Sequence, residues 1–161
     1  MTSLRIGFGF DVHQLHEGYD FNLGGIIIPY KKGSVGHSDA DVLIHAICDA
    51  LLGAANLGDI GKIFPDTDSK YKNIDSKILL KDVVKLLAGK NYSIVNIDST
   101  ICLQNPKLSG YISKMKDVLS ECLGVSSDLI SIKATTTEKL GFVGKEEGVS
   151  SYATVLIQKN K

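Results

Sequence analysis

All four histidines of this 161-residue chain fall between positions 13 and 45. Two of them stand where they could share work with a carboxylate. Asp11 and His13 are two apart in Arg5-Ile-Gly-Phe-Gly-Phe-Asp-Val-His13, and the alternation there predicts a strand over 4–12. Residues i and i+2 of a strand leave the same face. Asp11 and His13 therefore continue the face of Gly7 and Gly9, where the missing side chains are expected to leave open space, while Ile6, Phe8, Phe10 and Val12 point the other way. His45 sits in Asp41-x-x-x-His45-x-x-x-Asp49, and spacing of four stacks these residues along one helical stripe, roughly opposite Ile44, Ile47 and Leu51. One carboxylate and two imidazoles are three N/O donors with a fourth position open, the pattern of a catalytic zinc or similar divalent site. A metal-free Asp–His hydrogen bond would use the same residues. Asp41 would then be only the capping partner of Ser38 in Ser38-Asp-Ala-Asp41.

Three further segments could meet phosphate. In Ala134-Thr-Thr-Thr-Glu-Lys139, consecutive hydroxyls and backbone N–H groups suit phosphate oxygens, and Glu138 suits a hard cation such as Mg²⁺. The same run reads equally as a β-rich strand end with a solvated Glu-Lys pair. In Asn105-Pro-Lys107 the lysine could pair with a phosphate or simply face solvent. Gly58-Asp-Ile-Gly-Lys-Ile-Phe-Pro-Asp-Thr-Asp68 is either turn chemistry or a loop whose Asp59 binds a pair of sugar hydroxyls.

The elements that must position these residues follow from periodicity. After the strand over 4–12 comes a second over 21–28, with Gly24-Gly25 as a bulge or bend and Pro29 closing it. A helix runs from the Ser38 cap to about Ala55, and an irregular loop from Asn56 to Asp75 is long enough to be functional. Then come a helix over 76–88 ended by Gly89, a strand from Tyr92 to Leu103, a helix from about Lys107 to Leu123 stopped by Gly124, and strands over 129–137 and 152–158. The order β-β-α-loop-α-β-α-β-β predicts an α/β protein of the α+β type: a mixed sheet covered on one face by about three helices. The last strands lack clean polar alternation, which hints that an oligomer buries the second face.

Composition narrows the classes. Residues 1–161 suit one domain, and 43% hydrophobic residues suit a packed core. Lys+Arg and Asp+Glu balance at 18 each, against a basic nucleic-acid binder. No apolar run approaches the ~18–20 residues of a membrane span. Cys48, Cys102 and Cys122 are scattered and read as reduced core thiols. With no hydrophobic signal core after Met1, the expected place is the cytoplasm, bacterial or else plastid after removal of a transit peptide.

Read in order, Arg5–His13, Gly36-His-Ser-Asp-Ala-Asp-Val-Leu-Ile-His45, Asp49-Ala-Leu-Leu-Gly-Ala-Ala55, Leu57–Asp68 and Ala134–Phe142 resemble one family, the 2-C-methyl-D-erythritol 2,4-cyclodiphosphate synthases of the non-mevalonate isoprenoid pathway. The resemblance implies a homotrimer with active sites between subunits. It also implies a cytidine diphosphate substrate, 4-diphosphocytidyl-2-C-methyl-D-erythritol 2-phosphate, whose 2-phosphate closes on its own diphosphate and expels CMP. It matches Asp11, His13 and His45 to zinc ligands, and Glu138 to the ligand of a second ion, Mg²⁺ or Mn²⁺, on the diphosphate. His37 and Thr136 match transition-state stabilisers. Ser38, Asp59, Ile60, Gly61, Phe64, Asp66 and Asp68 match the methylerythritol phosphate pocket. Leu103, Pro106, Lys107, Leu108, Thr135 and Thr136 match the cytidine diphosphate pocket, with Phe142 and Lys145 as further substrate contacts.

The chemistry agrees with that assignment. An intramolecular phosphoryl transfer needs in-line positioning and charge neutralisation more than covalent help. One departure stands out. Lys145, in Gly144-Lys-Glu-Glu-Gly148, replaces an arginine frequent in the family, near the threefold axis where an isoprenoid diphosphate can bind. Lysine keeps the charge without the bidentate fork. The alternative function is a zinc-dependent small-molecule phosphohydrolase using bound hydroxide.

Overall fold

The computed structural model describes residues 3–160. Its main sheet has five strands in the order β4-β1-β7-β5-β6, built from β1 (Leu4–Glu17), β4 (Lys32–Val35), β5 (Tyr92–Cys102), β6 (Ile130–Thr135) and β7 (Gly148–Lys159). The long central pair β1 and β7 is antiparallel from Leu4↔Gln158 to Gln14↔Gly148. β5 is antiparallel to β7 but parallel to β6, so the sheet is mixed. Helices α1 (Val42–Ala54), α3 (Ser76–Gly89) and α4 (Ile112–Leu123) pack on one face, as the order of elements predicts. Their Ile47, Leu51, Leu80, Val83 and Leu119 meet Ile97, Ile101, Val155 and Ile157 of the sheet in one core. The short helices α2 (Ile60–Ile63) and α5 (Gly141–Gly144) complete five α-helices among the described residues. No helix there is long and apolar enough to cross a membrane.

The contact that sets the geometry is between β1 and α1. The space expected beside Gly7 and Gly9 is not open: the backbone of α1 occupies it. A Cβ on Gly7 would lie 1.9 Å from the Ala50 carbonyl oxygen, and one on Gly9 the same distance from that of Ala46. Glycine on the strand and alanine at i, i+4 on the helix let the two backbones touch. The stripe expected on α1 is also absent in that form. Every residue from Val42 to Leu52 is buried except Asp49, which is half-buried. Asp41 precedes the helix as its N-cap, accepting from the Ile44 N–H at 3.0 Å.

Asp41 is busier than a cap, and it explains a second difference from expectation. The segment over 21–28 is not one strand. It is a hairpin of β2 (Asn22–Leu23) and β3 (Ile26–Ile27), turned by Gly24 and Gly25 with φ of 62° and 79°. Two consecutive positive φ angles make the tight two-residue turn that matches strand twist, and glycine supplies them without strain. The turn's N–H groups donate to the Asp41 carboxylate at 2.9 and 2.7 Å. Burial pushes the Asp41 carboxyl above the usual carboxylate range, against the pull of these three backbone donors.

Other boundaries shift for local reasons. β1 continues past residue 12 because β4, which alternation did not reveal in four residues, pairs with Gln14–Glu17. α4 begins at Ile112 and not near Lys107. β7 begins at Gly148, with small residues that alternation does not register. The 56–75 segment is folded on itself: Asp59 caps α2 through the Lys62 N–H at 2.8 Å, and Asp68 caps a 3₁₀ turn over Ser69–Tyr71 through the Lys70 N–H at 2.9 Å. Asp49 ties that segment to α1 by accepting from the Ile60 N–H at 2.7 Å.

The glycine contact is testable against a neutral site. Gly9→Ala should destabilise the protein by about 3 kcal/mol, because neither backbone can retreat from the added methyl. Gly53→Ala, on α1 with nothing within 4 Å of its Cβ, should stabilise by about 0.5–1 kcal/mol. Urea denaturation of both variants checks the pair, and equal effects would refute the packing argument.

Candidate metal centre

The direct seating of α1 on β1 brings His45 down to the Asp11–His13 end of the strand. Asp11 Oδ2 lies 3.0 Å from His13 Nδ1 and 3.0 Å from His45 Nδ1. The imidazole centroids are 5.2 Å apart, and one donor atom from each of the three residues lies within 4.8 Å of the others. Gly36 makes room for the His13 ring, since a Cβ there would come 2.8 Å from His13 Nε2.

The trio fits a cation on its own chemistry. His13 Nδ1 is buried and makes no hydrogen bond despite its closeness to Asp11. Buried nitrogens are rarely left so, and an orphan aimed at a carboxylate and a second imidazole is what a metal ligand looks like without its ion. Burial favours a neutral Asp11, yet the two imidazoles beside it, with His45 hydrogen-bonded to it, hold its carboxyl at about 2. Burial works to lower the pKa of His45, but Asp11 and the nearby charges of Asp41 and Asp39 raise it above the ordinary histidine value. A proton on His45 thus fills part of the role that a divalent ion would take.

Beside the trio is a cleft of about 260 Å³ lined by His13, His37, Ser38, His45, Ile60, Gly61, Phe64, Asp66, Tyr71, Ile74 and Leu79. Of the expected methylerythritol phosphate contacts, Ser38, Ile60, Gly61, Phe64 and Asp66 line it. Asp59 and Asp68 do not line it, and their carboxylates cap local turns. Tyr71, Ile74 and Leu79 are wall residues that no sequence signal singled out. A second cleft, of about 310 Å³, is lined by Leu103, Pro106, Lys107, Leu108, Thr135 and Thr136, together with Gln104, Ser109, Ile112 and Ala134. It gathers the expected cytidine diphosphate contacts. Glu138 stands exposed on the loop after β6, with its N–H directed to Thr136 Oγ1 at 3.3 Å. The trio is the only such cluster among the described residues, so Glu138 joins no second set of ligands within this chain. Phe142 borders a third hollow with Val12, His13 and Gly148, and exposed Lys145 follows α5.

Both clefts open at the same end of the sheet. His13 pairs with Val149, while Cys102 pairs with Ser150 and Thr135. β1 and β6 are separated by β7 and β5, three strand spacings or roughly 14 Å. One chain therefore carries the cleft beside the trio and the second cleft side by side.

With this geometry, the YgbB family model matches residues 4–158. The chain belongs to the YgbB family. A relative from Bacteroides fragilis strain YCH46, named 2-C-methyl-D-erythritol 2,4-cyclodiphosphate synthase, is 64% identical over 156 residues, covering 97% of this chain and 98% of its own. The solved bifunctional IspDF of Campylobacter jejuni superposes with a TM-score of 0.96 at 40% identity; it covers all of this chain, which spans only 44% of that longer one. The solved IspF of Plasmodium falciparum in complex with CDP gives a TM-score of 0.86 at 34% identity, with 99% of each chain covered. The span matched by the family model includes the segments that carry Asp11, His13 and His45.

A metal-free trio that holds a proton carries a pH signature. A His45 pKa raised on folding stabilises the protein below pH 6.5, and this contribution is lost as pH climbs through the folded value. The depressed pKa of Asp11 stabilises above pH 3.8 and is lost as pH falls towards 2. Metal-stripped protein should lose thermal stability from neutral to alkaline pH, and added zinc should restore more there than at pH 6. Calorimetric scans of both forms across that range test this, and a zinc increment independent of pH would contradict it.

Proposed function

We propose that this chain is a 2-C-methyl-D-erythritol 2,4-cyclodiphosphate synthase of isoprenoid biosynthesis, a lyase that forms a cyclic diphosphate and releases CMP. The observation that carries the reading is the Asp11–His13–His45 trio beside a cleft that both histidines line, in a chain matched over 97% of its length by a synthase of that name. Nothing in the site favours the phosphohydrolase alternative.

The substrate, 4-diphosphocytidyl-2-C-methyl-D-erythritol 2-phosphate, carries its own nucleophile. An oxygen of the 2-phosphate attacks the β-phosphorus. The bond from that phosphorus to the oxygen bridging to the α-phosphorus breaks, and CMP leaves with the electron pair. The attacking phosphate is already ionised near neutral pH, so no side chain has to remove a proton. The chain's task is to hold the two groups in line and exclude water. Asp11, His13 and His45 would hold a zinc-like ion, and Glu138 would hold a Mg²⁺ or Mn²⁺ carried on the diphosphate; when bound, these supply Lewis-acid neutralisation of the phosphate charge. A lone carboxylate at Glu138 suits the second role, since Mg²⁺ is commonly held by one or two carboxylates and the substrate's phosphates.

His37 and Ser38 orient the nucleophilic phosphate at the metal cleft. Ile60, Gly61, Phe64 and Asp66 close over the methylerythritol part. Thr135, Thr136 and Lys107 receive the leaving cytidylate, with Thr136 donating to charge that develops in the transition state.

The complete site is assembled by three copies of this single-domain chain. The sheet face away from the helices supports this: Ile6 is 72% exposed, Phe8 64%, Phe10 44% and Val12 45%, with Tyr152 beside them on β7. Such a continuous apolar stripe marks a surface meant for a partner. Copies joined there would set the metal cleft of one against the nucleotide cleft of the next. The reaction is cytoplasmic and uses no nucleic acid or membrane.

Incubating the protein with its substrate should yield the cyclic diphosphate and CMP, resolved by ³¹P NMR. Ring-opened monophosphates would indicate the hydrolase instead. His45→Ala should lower turnover by about a thousandfold or more, the scale of a lost Lewis acid. Phe8→Lys should convert trimer to monomer by light scattering and reduce turnover at least ~10-fold, as expected when an interface anchor is lost. A fully active monomer would refute the shared site.

A further inference from the structure

His45 must offer a bare nitrogen to Asp11's side, and its own ring does not decide which nitrogen that is. The decision is made behind it. His45 Nε2 faces two hydroxyls, Ser76 Oγ at 2.9 Å and Ser38 Oγ at 3.1 Å. Ser76 is fully buried at the start of α3. Its Oγ is in a short hydrogen bond with Asp39 Oδ1, while Asp39 Oδ2 accepts from the Ser76 N–H at 3.0 Å. The two segments are further locked by the Asp39 N–H donating to the Ile74 carbonyl at 3.0 Å and the Asn73 N–H to the His37 carbonyl at 2.8 Å.

Proton accounting then fixes the direction of the chain. An ionised carboxylate only accepts, and a serine hydroxyl has one proton. With that proton given to Asp39, Ser76 Oγ can only accept from His45. Nε2 must carry a ring hydrogen, so Nδ1, which bonds Asp11 Oδ2 at 3.0 Å, is the nitrogen whose proton a metal would displace. We propose that Asp39 and Ser76 are positioning residues that act through His45: a one-way hydrogen-bond relay holding it as the Nε2–H tautomer, so that Nδ1 presents its lone pair to the metal. This rests on the metal reading given above. Such outer groups raise ligand basicity and fix ring orientation.

Asp39→Asn is the discriminating variant because it keeps shape and reverses direction. An amide has one acceptor, so its nitrogen must face a donor somewhere. With the oxygen kept on the Ser76 N–H, the nitrogen falls on Ser76 Oγ, where the only other donor is the Asp41 N–H at 3.3 Å. The Ser76 proton then turns to His45 Nε2 and moves the ring's hydrogen to Nδ1, where it blocks the ligand position.

The test uses the full chain, zinc alone, competition against a chromogenic chelator, and long-range ¹H–¹⁵N spectra of histidine-labelled protein. Zinc-bound wild type should show a protonated Nε2 on His45. Asp39→Asn should bind zinc about 10- to 100-fold more weakly, and Ser76→Ala about tenfold more weakly because Ser38 Oγ still accepts. Zinc affinities within about threefold of wild type in both variants, or a zinc-bound His45 protonated at Nδ1, would overturn the relay. If Asp39→Asn does not fold, Ser76→Ala and the wild-type spectrum decide. Wild type that takes up no zinc would overturn the metal reading itself, and the relay with it.

Discussion

Everything at the candidate site depends on how closely one helix can lie on one strand. Gly7 and Gly9 remove two side chains from β1, and Ala46 and Ala50 present almost none from α1, so carbonyl oxygens of the helix sit where strand Cβ atoms would be. A side chain of ordinary size at either glycine would lift α1 and take His45 with it. Asp11 and His13 lie on the same strand and keep their spacing whatever the helix does. The distance from His45 Nδ1 to Asp11 Oδ2 is thus a packing variable, set by residues that never touch a ligand.

Buried charge is arranged around that contact with unusual density. Asp39 and Asp41 fall within two residues of each other, close to His45, and each carboxylate is saturated by donors from segments distant in sequence. Asp41 takes the Gly24 and Gly25 N–H groups, and Asp39 takes both donors of Ser76. Unpaired, the buried Asp41 carboxylate would be costly, and the half-buried Asp39 less so; satisfied, each becomes a rivet between elements. The equal count of acidic and basic residues is consistent with phosphate chemistry for the same reason. Positive charge need not be spread over the surface when an acidic and imidazole cluster can hold it as an ion at one point.

How much of this was legible in the sequence follows from the range of the interactions. The strand carrying Asp11 and His13, the helix carrying His45 and the three-helix cover were readable, because alternation and 3.6-residue periodicity are local. The Gly24-Gly25 hairpin looked like a bent strand, since its turn is paired to Asp41 across 16 residues or more. Asp41 resembled a capping partner for Ser38 because the true cap geometry begins three residues later. β4 is four residues long and only its pairing with β1 defines it. Ser76 was legible only as the first residue of the helix expected over 76–88. Its link to His45 exists only after α3 folds back on the 37–39 segment. The emptiness inferred beside Gly7 and Gly9 was wrong for an instructive reason: missing side chains mean close approach as readily as open space.

The helix-free face of the sheet completes the logic. Among the described residues the long helices α1, α3 and α4 all pack on one side of the sheet, and the chain spends Ile6, Phe8, Phe10 and Val12 on the other. The same alternation that turns Gly7 and Gly9 towards α1 turns these residues away, so the two faces of β1 are one pattern. The glycine face allows the metal cleft to form within the chain. The aromatic face leaves the chain with surface that water solvates poorly, roughly beneath that cleft. A substitution shifting the register of β1 by one residue would exchange the faces, burying bulk against α1 and turning Asp11 and His13 outward. The candidate metal ligands Asp11 and His13 and the exposed apolar face therefore share a single strand and cannot drift apart independently.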